Sequence, residues 1–184
     1  MPLKVSTSPL IYALFMLFFG FFPSSNQAGG FTELSTKVGP FQLGMSSGGF
    51  RNITNISPEP CPICIDREQF ASLSKDQALK IMPEFPVGSG IDFFFYNHKL
   101  YHISIGPSVN DVFLAKQDLE KQFGPGKVEK QFNRNSLLKW QEQGVVITLN
   151  YNEISNEVFS INYYDKDMKA ERDWRESQAL EDTQ

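Results

Sequence analysis

Residues 91–105 read IDFFFYNHKLYHISI. Ile91, Phe93 and Phe95 alternate with Asp92, Phe94 and Tyr96, and after Asn97 to Lys99 the alternation resumes as Tyr101, Ile103 and Ile105 against His102 and Ser104. Successive side chains of a strand point to opposite faces, and Asn tolerates the backbone of a tight turn. The stretch therefore predicts a β-hairpin with one apolar face, ended by Gly106 and Pro107.

Downstream the period changes. Asn110 is a helix N-cap candidate, Val112, Ala115, Leu119 and Phe123 fall on one helical face, and Lys116, Asp118, Glu120 and Lys121 fall on the wet side. Gly124 and Pro125 stop that helix. Period-two alternation then returns in Leu137 to Glu142, which holds Trp140, and in Val145, Ile147, Leu149 and Tyr151 after a Gln143-Gly144 turn. A last strand presents Phe159, Ile161 and Tyr163, and such neighbours predict an antiparallel meander. The VVITLNYNEISNEVFSINY segment echoes IDFFFYNHKLYHISI, as antiparallel hairpins commonly do, with internal duplication the weaker explanation. From Asp165 to Gln184 the chain is heavily charged, with Trp174 its one aromatic, which reads as either a surface helix or a disordered tail, a frayed helix being slightly favoured.

Upstream the signals are fainter. Val38 to Leu43 predicts a short strand restricted by Pro40, and Gly44 to Pro62 has loop composition with at most a helical turn. Asp66 and Gln69 match a capping box, so a short helix with Phe70 and Leu73 facing the core is expected there, with another turn or two from Lys75 to Met82. Together these segments predict one α+β domain over residues 29–164, an antiparallel sheet of about five strands with the Asn110 to Phe123 helix packed on one face.

The N-terminus specifies a compartment. Lys4, the uncharged apolar run from Leu10 to Phe22, Pro23 and a small-residue site ending at Ala28 form the pattern of a cleaved signal peptide over residues 1–28. The run is shorter than the roughly 20 residues that span a bilayer, so no integral membrane segment is expected after cleavage. Cleavage removes Lys4 and no acidic residue, so 17 basic and 21 acidic residues become 16 and 21, a net charge of −5. That balance argues against nucleic acid or an anionic membrane as partner, since both select a basic surface. The expectation is a periplasmic or secreted chain whose partner is another protein of the envelope or extracellular space.

The LGMS segment at Leu43 to Ser46, the helix ending in QFGPG at Gln122 to Gly126, the tryptophan-bearing strand and the final hairpin resemble the small periplasmic domains of the BamE (SmpA/OmlA) type, mainly over Asp111 to Tyr164. The resemblance implies a helix followed by three antiparallel strands, in an envelope protein. Members of that family are typically lipoproteins, and this chain has no cysteine near the cleavage site to accept a lipid.

Chemistry is sparse in the sequence. The CPIC motif holds the chain's two cysteines, Cys61 and Cys64. In an oxidising compartment the pair predicts a static disulfide closing a tight loop, with a thiol-disulfide oxidoreductase as the rival function. Against the rival, RNITNISPEP precedes the motif where a thioredoxin-like fold would place a buried strand, and Glu59, Asp66 and Glu68 would raise a thiol pKa. His98 and His102 complete a CxxC plus HxxxH inventory, but four residues along a strand span about 13 Å, too far for two imidazoles on one zinc ion. No metal or cofactor is therefore expected, and His102 reads as a solvent-facing strand residue. Asn52 and Asn55 head Asn-x-Ser/Thr sequons that carry meaning only in a eukaryotic secretory pathway. No nucleophile, base or phosphate-loop constellation is present, so a non-catalytic protein-binding role is favoured. Phe94 and Tyr96, on the hairpin's second face, are the candidate binding patch if no helix or tail covers them.

Overall fold

The computed structural model describes residues 34–61, 67–83, 87–107, 112–130 and 135–181, all within the unit Phe31–Gln184. The signal-peptide segment, Cys64, and the expected caps Asp66 and Asn110 lie outside the described residues. In chain order the elements are β1 (Lys37–Val38), β2 (Phe41–Gln42), α1 (Ser47–Thr54), β3 (Glu59–Pro60), β4 (Glu68–Ser74), α2 (Lys75–Ile81), β5 (Val87–Tyr96), β6 (Lys99–Pro107), α3 (Val112–Phe123), β7 (Lys127–Lys130), β8 (Asn135–Glu142), β9 (Val145–Asn152), β10 (Glu157–Asp165) and α4 (Lys166–Glu181). The expectation of about five strands and one main helix is overturned. Among the described residues one antiparallel sheet has eight strands, a second has two, and there are four helices.

Three local corrections produce that difference. Residues 68–74 are a strand, because each of them pairs with β5, from Glu68 opposite Tyr96 to Ser74 opposite Gly90. The working capping box is eight residues later: Ser74 Oγ accepts from Gln77 N, and Gln77 Oε1 accepts from Ser74 N, opening α2. The expected Val38 to Leu43 strand is folded in two by Gly39 at φ 57°, so Val38 pairs with Phe41 across a tight turn. The segment assigned to loop contains α1, which overcomes its two glycines with caps at both ends and one anchor. Ser46 Oγ accepts from Gly49 N, Asn55 at φ 58° donates its N–H to the Arg51 carbonyl, and Phe50 is fully buried.

The large sheet runs β3-β4-β5-β6-β10-β9-β8-β7. It is two four-stranded meanders, each preceded by its own helix, α1 or α3, and joined where β6 and β10 pair antiparallel. Both final hairpins carry the same irregularity at the same place. Phe94 pairs with His102 and Phe95 with Leu100, leaving Tyr101 as the extra residue; Asn150 pairs with Ser160 and Tyr151 with Val158, leaving Phe159 as the extra residue. A shared bulge is a stronger sign of repetition than alternation, because it has a position as well as a period. The echo in the sequence is thus a structural repeat in which Tyr101 corresponds to Phe159, Phe94 to Asn150 and, through the β4–β5 and β8–β9 ladders, Glu68 to Asn135.

One face of the sheet carries the core. Phe41, Phe50, Phe93 and Phe95 form a ring cluster with centroid separations of 4.6–5.5 Å, and Val112, Ala115 and Leu119 of α3 belong to the same buried set as Leu138, Ile147 and Leu149. The end of α3 is tied to β8 through the QFGPG turn. Gly124, at φ 78°, accepts from Trp140 Nε1 at 2.8 Å, and a Cβ on Gly126 would stand 2.8 Å from the indole. The other face is crossed by α4, a formed helix in the segment expected to be frayed.

Candidate functional site

The bulge at Tyr101 determines what the second face presents. Phe95 opposite Leu100 and Phe93 opposite Ile103 keep Leu100 and Ile103 on the core face, so the two residues between them, Tyr101 and His102, both turn to the other side. The expected grouping of Tyr101 with Ile103 and Ile105 is therefore incorrect. A bulge adds a residue without adding a ladder pair, and sequence alternation does not register it.

Two rows cross this second face. The first is aromatic: Phe70 lies 5.3 Å from Phe94, Phe94 stacks on His102 at 4.8 Å and 13°, and His102 meets the edge of Tyr164 at 6.0 Å. The second is polar and follows the ladder register from Ser72 through Asp92, Ser104, Asn162 and Thr148 to Lys139. Ser72 Oγ donates to Asp92 Oδ1 at 2.7 Å. Asn162 Nδ2 donates to Ser160 Oγ at 3.0 Å and to Thr148 Oγ1 at 3.4 Å, which leaves Oδ1 to accept from His102 Nε2 at 3.0 Å. An amide oxygen only accepts, so that network places a proton on His102 Nε2.

His102 is thus half-buried and hydrogen-bonded, not a solvent-facing residue. Burial pushes its pKa below the ordinary histidine value, Lys169 adds to the depression, and the Asn162 bond, Asp92 and Glu68 oppose it. The unfolded chain therefore binds this proton more readily than the native one. The contribution is intact above pH of about 6.5 and is lost as pH falls below it, at a slope of up to about 1.4 kcal/mol per pH unit. Urea unfolding of wild type and His102→Gln at pH of about 7.5 and about 5 should show the wild type losing more stability on acidification than the variant; equal losses would remove His102 from this role.

At the end of the face lies an ionic cluster. The Glu68 side chain is 2% exposed; Oε1 accepts from Tyr101 Oη at 2.5 Å, and Oε2 accepts from Arg172 Nε at 3.3 Å and Nη2 at 3.2 Å. Arg172, from α4, also contacts Asp173 and Glu176. Burial alone would lower the Arg172 pKa, but the Glu68 charge and hydrogen bond, together with Tyr101 and Glu176, outweigh it and hold the guanidinium firmly protonated. The hydroxyl of Tyr101 is raised by burial and by its bond to Glu68.

The residues singled out from sequence are dispersed. Tyr96 is 2% exposed and offers no side chain to a partner, while Phe94 is half-buried in the aromatic row. Cys61 continues β3, its N–H donating to the Glu68 carbonyl at 3.0 Å, and no described cysteine is free. His98 sits in the Asn97-His98 turn, both residues at positive φ, with Nδ1 3.0 Å from Gln69 Oε1. Asn52 is exposed on α1 and Asn55 is its C-cap. Among the described residues no group of three or more His, Cys, Asp or Glu side chains is arranged to hold a metal, and no helix is long and apolar enough to cross a membrane. Sequence reasoning missed Glu68, Tyr101 and Arg172. The available signal was EQFASLS at Glu68 to Ser74, whose Ala71 and Leu73 alternate with polar Ser72 and Ser74 as in a half-buried strand.

No family model matches the chain, and no curated protein matches it. Among solved structures it is similar to the crystal structure of an extracellular protein containing a SCP domain from Bacillus anthracis str. Ames, with a TM-score of 0.44 and 14% identity over 83% of this chain and 52% of that one. The match spans about half of that protein's length.

Proposed function

We propose that this chain is an exported, non-catalytic protein-binding domain of the periplasm or extracellular space, and that it contacts its partner through the part of the second sheet face that belongs to the β7–β10 repeat. One comparison carries this: Tyr101 is 5% exposed beside α4, whereas its repeat counterpart Phe159 is 49% exposed. Around Phe159 stand the counterparts of the first repeat's side chains, with Asn150 bonded to Ser160 and Asn152 bonded to Asn135. An aromatic among amides offers contact area with directional hydrogen bonds, the mixture found in specific, moderately polar interfaces. The signal-peptide pattern supports export, and the helix-then-strands order of each repeat supports a distant kinship with BamE-type envelope domains.

In this reading Cys61 and Cys64 form a static disulfide, as an oxidising compartment favours. Photo-crosslinking from position 150, beside Phe159 in the β9–β10 ladder, in the mature protein in its own envelope or secretion fraction, tests the interface. A discrete protein adduct that disappears in a Phe159→Glu variant of unchanged thermal midpoint is expected. Absence of any adduct would remove this interface, and thiol-dependent insulin reduction by the native protein would favour the oxidoreductase instead.

A further inference from the structure

Helix α4 covers part of the sheet with little apolar surface of its own. Its sequence KDMKAERDWRESQALE has no apolar stripe, and its tryptophan, Trp174, is 55% exposed with the Arg175 guanidinium 5.1 Å from the ring. At its start the helix is fixed by Asp165 Oδ1, which accepts from Asp167 N and Met168 N, and by Lys166 N donating to the Gly144 carbonyl. Further along, Lys169 reaches over the Tyr164 ring at 6.0 Å, and Arg172 bonds the buried Glu68. Ion pairs within the helix, Lys169 with Asp173 and Arg172 with Glu176, stabilise it as a helix but not as part of the sheet.

The surface it crosses has the opposite character: Phe94, Tyr101, His102 and Tyr164 form an aromatic patch with one carboxylate, Glu68, at its end. An aromatic patch is ordinarily held covered by apolar burial; here the cover is a polar helix fastened mainly through one guanidinium. Elements with few apolar contacts open at lower free energy than the core they rest on. A carboxylate buried beside such a patch selects arginine, whose planar donors reach an oxygen while the rest of the guanidinium lies against aromatic rings.

We infer that α4 is a ligand bound in cis to a helix-docking face, and that this face accepts in its place an amphipathic helix of a partner protein presenting one arginine to Glu68 and apolar side chains to Phe94, Tyr101 and Tyr164. Such a helix would outcompete α4 by supplying the apolar contact that α4 lacks. This surface is separate from the one around Phe159 and stands independently of it.

The test uses the full chain and a fluorescent synthetic peptide of residues 166–181. Arg172→Gln unfastens the cis helix, so the peptide should bind that variant at least about tenfold more tightly than wild type, and the same peptide carrying the Arg172→Gln change should lose at least about tenfold in affinity. In the variant, α4 amides should exchange hydrogen at least about tenfold faster while β5 and β6 amides keep their protection. In the wild type, α4 should exchange ahead of the sheet. Equal peptide binding to both chains would overturn the inference, as would wild-type α4 amides that exchange only together with β5 and β6; the second measurement decides the matter even where Arg172→Gln does not fold.

Discussion

Phe50→Ala is expected to lower stability by about 3–5 kcal/mol, read as a drop in the urea midpoint with little change in slope. Phe50 is fully buried, with ring centroids of Phe41, Phe93 and Phe95 at 5.5, 4.8 and 5.3 Å. Truncation removes the apolar transfer energy and leaves a void whose walls are other rings on the sheet, which cannot collapse into it. A second loss adds to the first. α1 is only eight residues long and carries Gly48 and Gly49, poor helix formers, in its first turn, so the helix depends on its caps and on this one buried ring. Phe50→Leu keeps most of the volume and should cost less than about half as much. A loss under about 1 kcal/mol for the alanine variant would mean that α1 is not part of the cooperative core.

That dependence explains why α1 is hard to read from sequence while α3 is easy. α3 announces itself through Val112, Ala115, Leu119 and Phe123 at helical spacing, whereas α1 has one deeply buried residue and the composition of a loop. The same contrast separates β5 and β6 from β4. The hairpin is legible because its alternation is strong and its turn is local. Residues 66–77 contain two candidate capping boxes, Asp66 with Gln69 and Ser74 with Gln77, and the choice is made by the pairing of Glu68 to Ser74 with β5, a contact distant in sequence. In the candidate site, alternation sets Phe94 and Tyr96 apart from Phe93 and Phe95, but the burial of Tyr96 is decided by tertiary packing. Alternation puts Tyr101 on the wrong face, because a bulge has no signature in it. Arg172 lies 104 positions from Glu68, and nothing in the charged C-terminal segment distinguishes it from Arg175.

Raising the pH should unfold the protein steeply, because three tyrosines on β6 and β10 are held neutral by their surroundings. Tyr163 is pushed up to about 12 by burial; Tyr164 is raised by burial and then by Glu129 and Asp173; Tyr101 is raised by burial and by the carboxylate of Glu68 that its hydroxyl donates to. In the unfolded chain each phenol titrates near 10. A raised native pKa means that the unfolded state gives up the proton first, so the contribution is complete below pH of about 10 and is lost as the pH climbs through 10 toward 12 and beyond. With all three phenols contributing, the limiting slope is about 4 kcal/mol per pH unit. Tyr163→Phe should remove roughly 2–3 kcal/mol of the loss by pH of about 12, since phenylalanine keeps the burial and has no proton to release. Tyr101→Phe should behave differently, costing about 1–3 kcal/mol already at neutral pH, because Glu68 Oε1 loses its donor in a buried position. Urea unfolding followed by circular dichroism from pH of about 8 to about 11.5 separates the two, and a wild type with a flat profile above pH of about 10 would show that these phenols reach water in the native state.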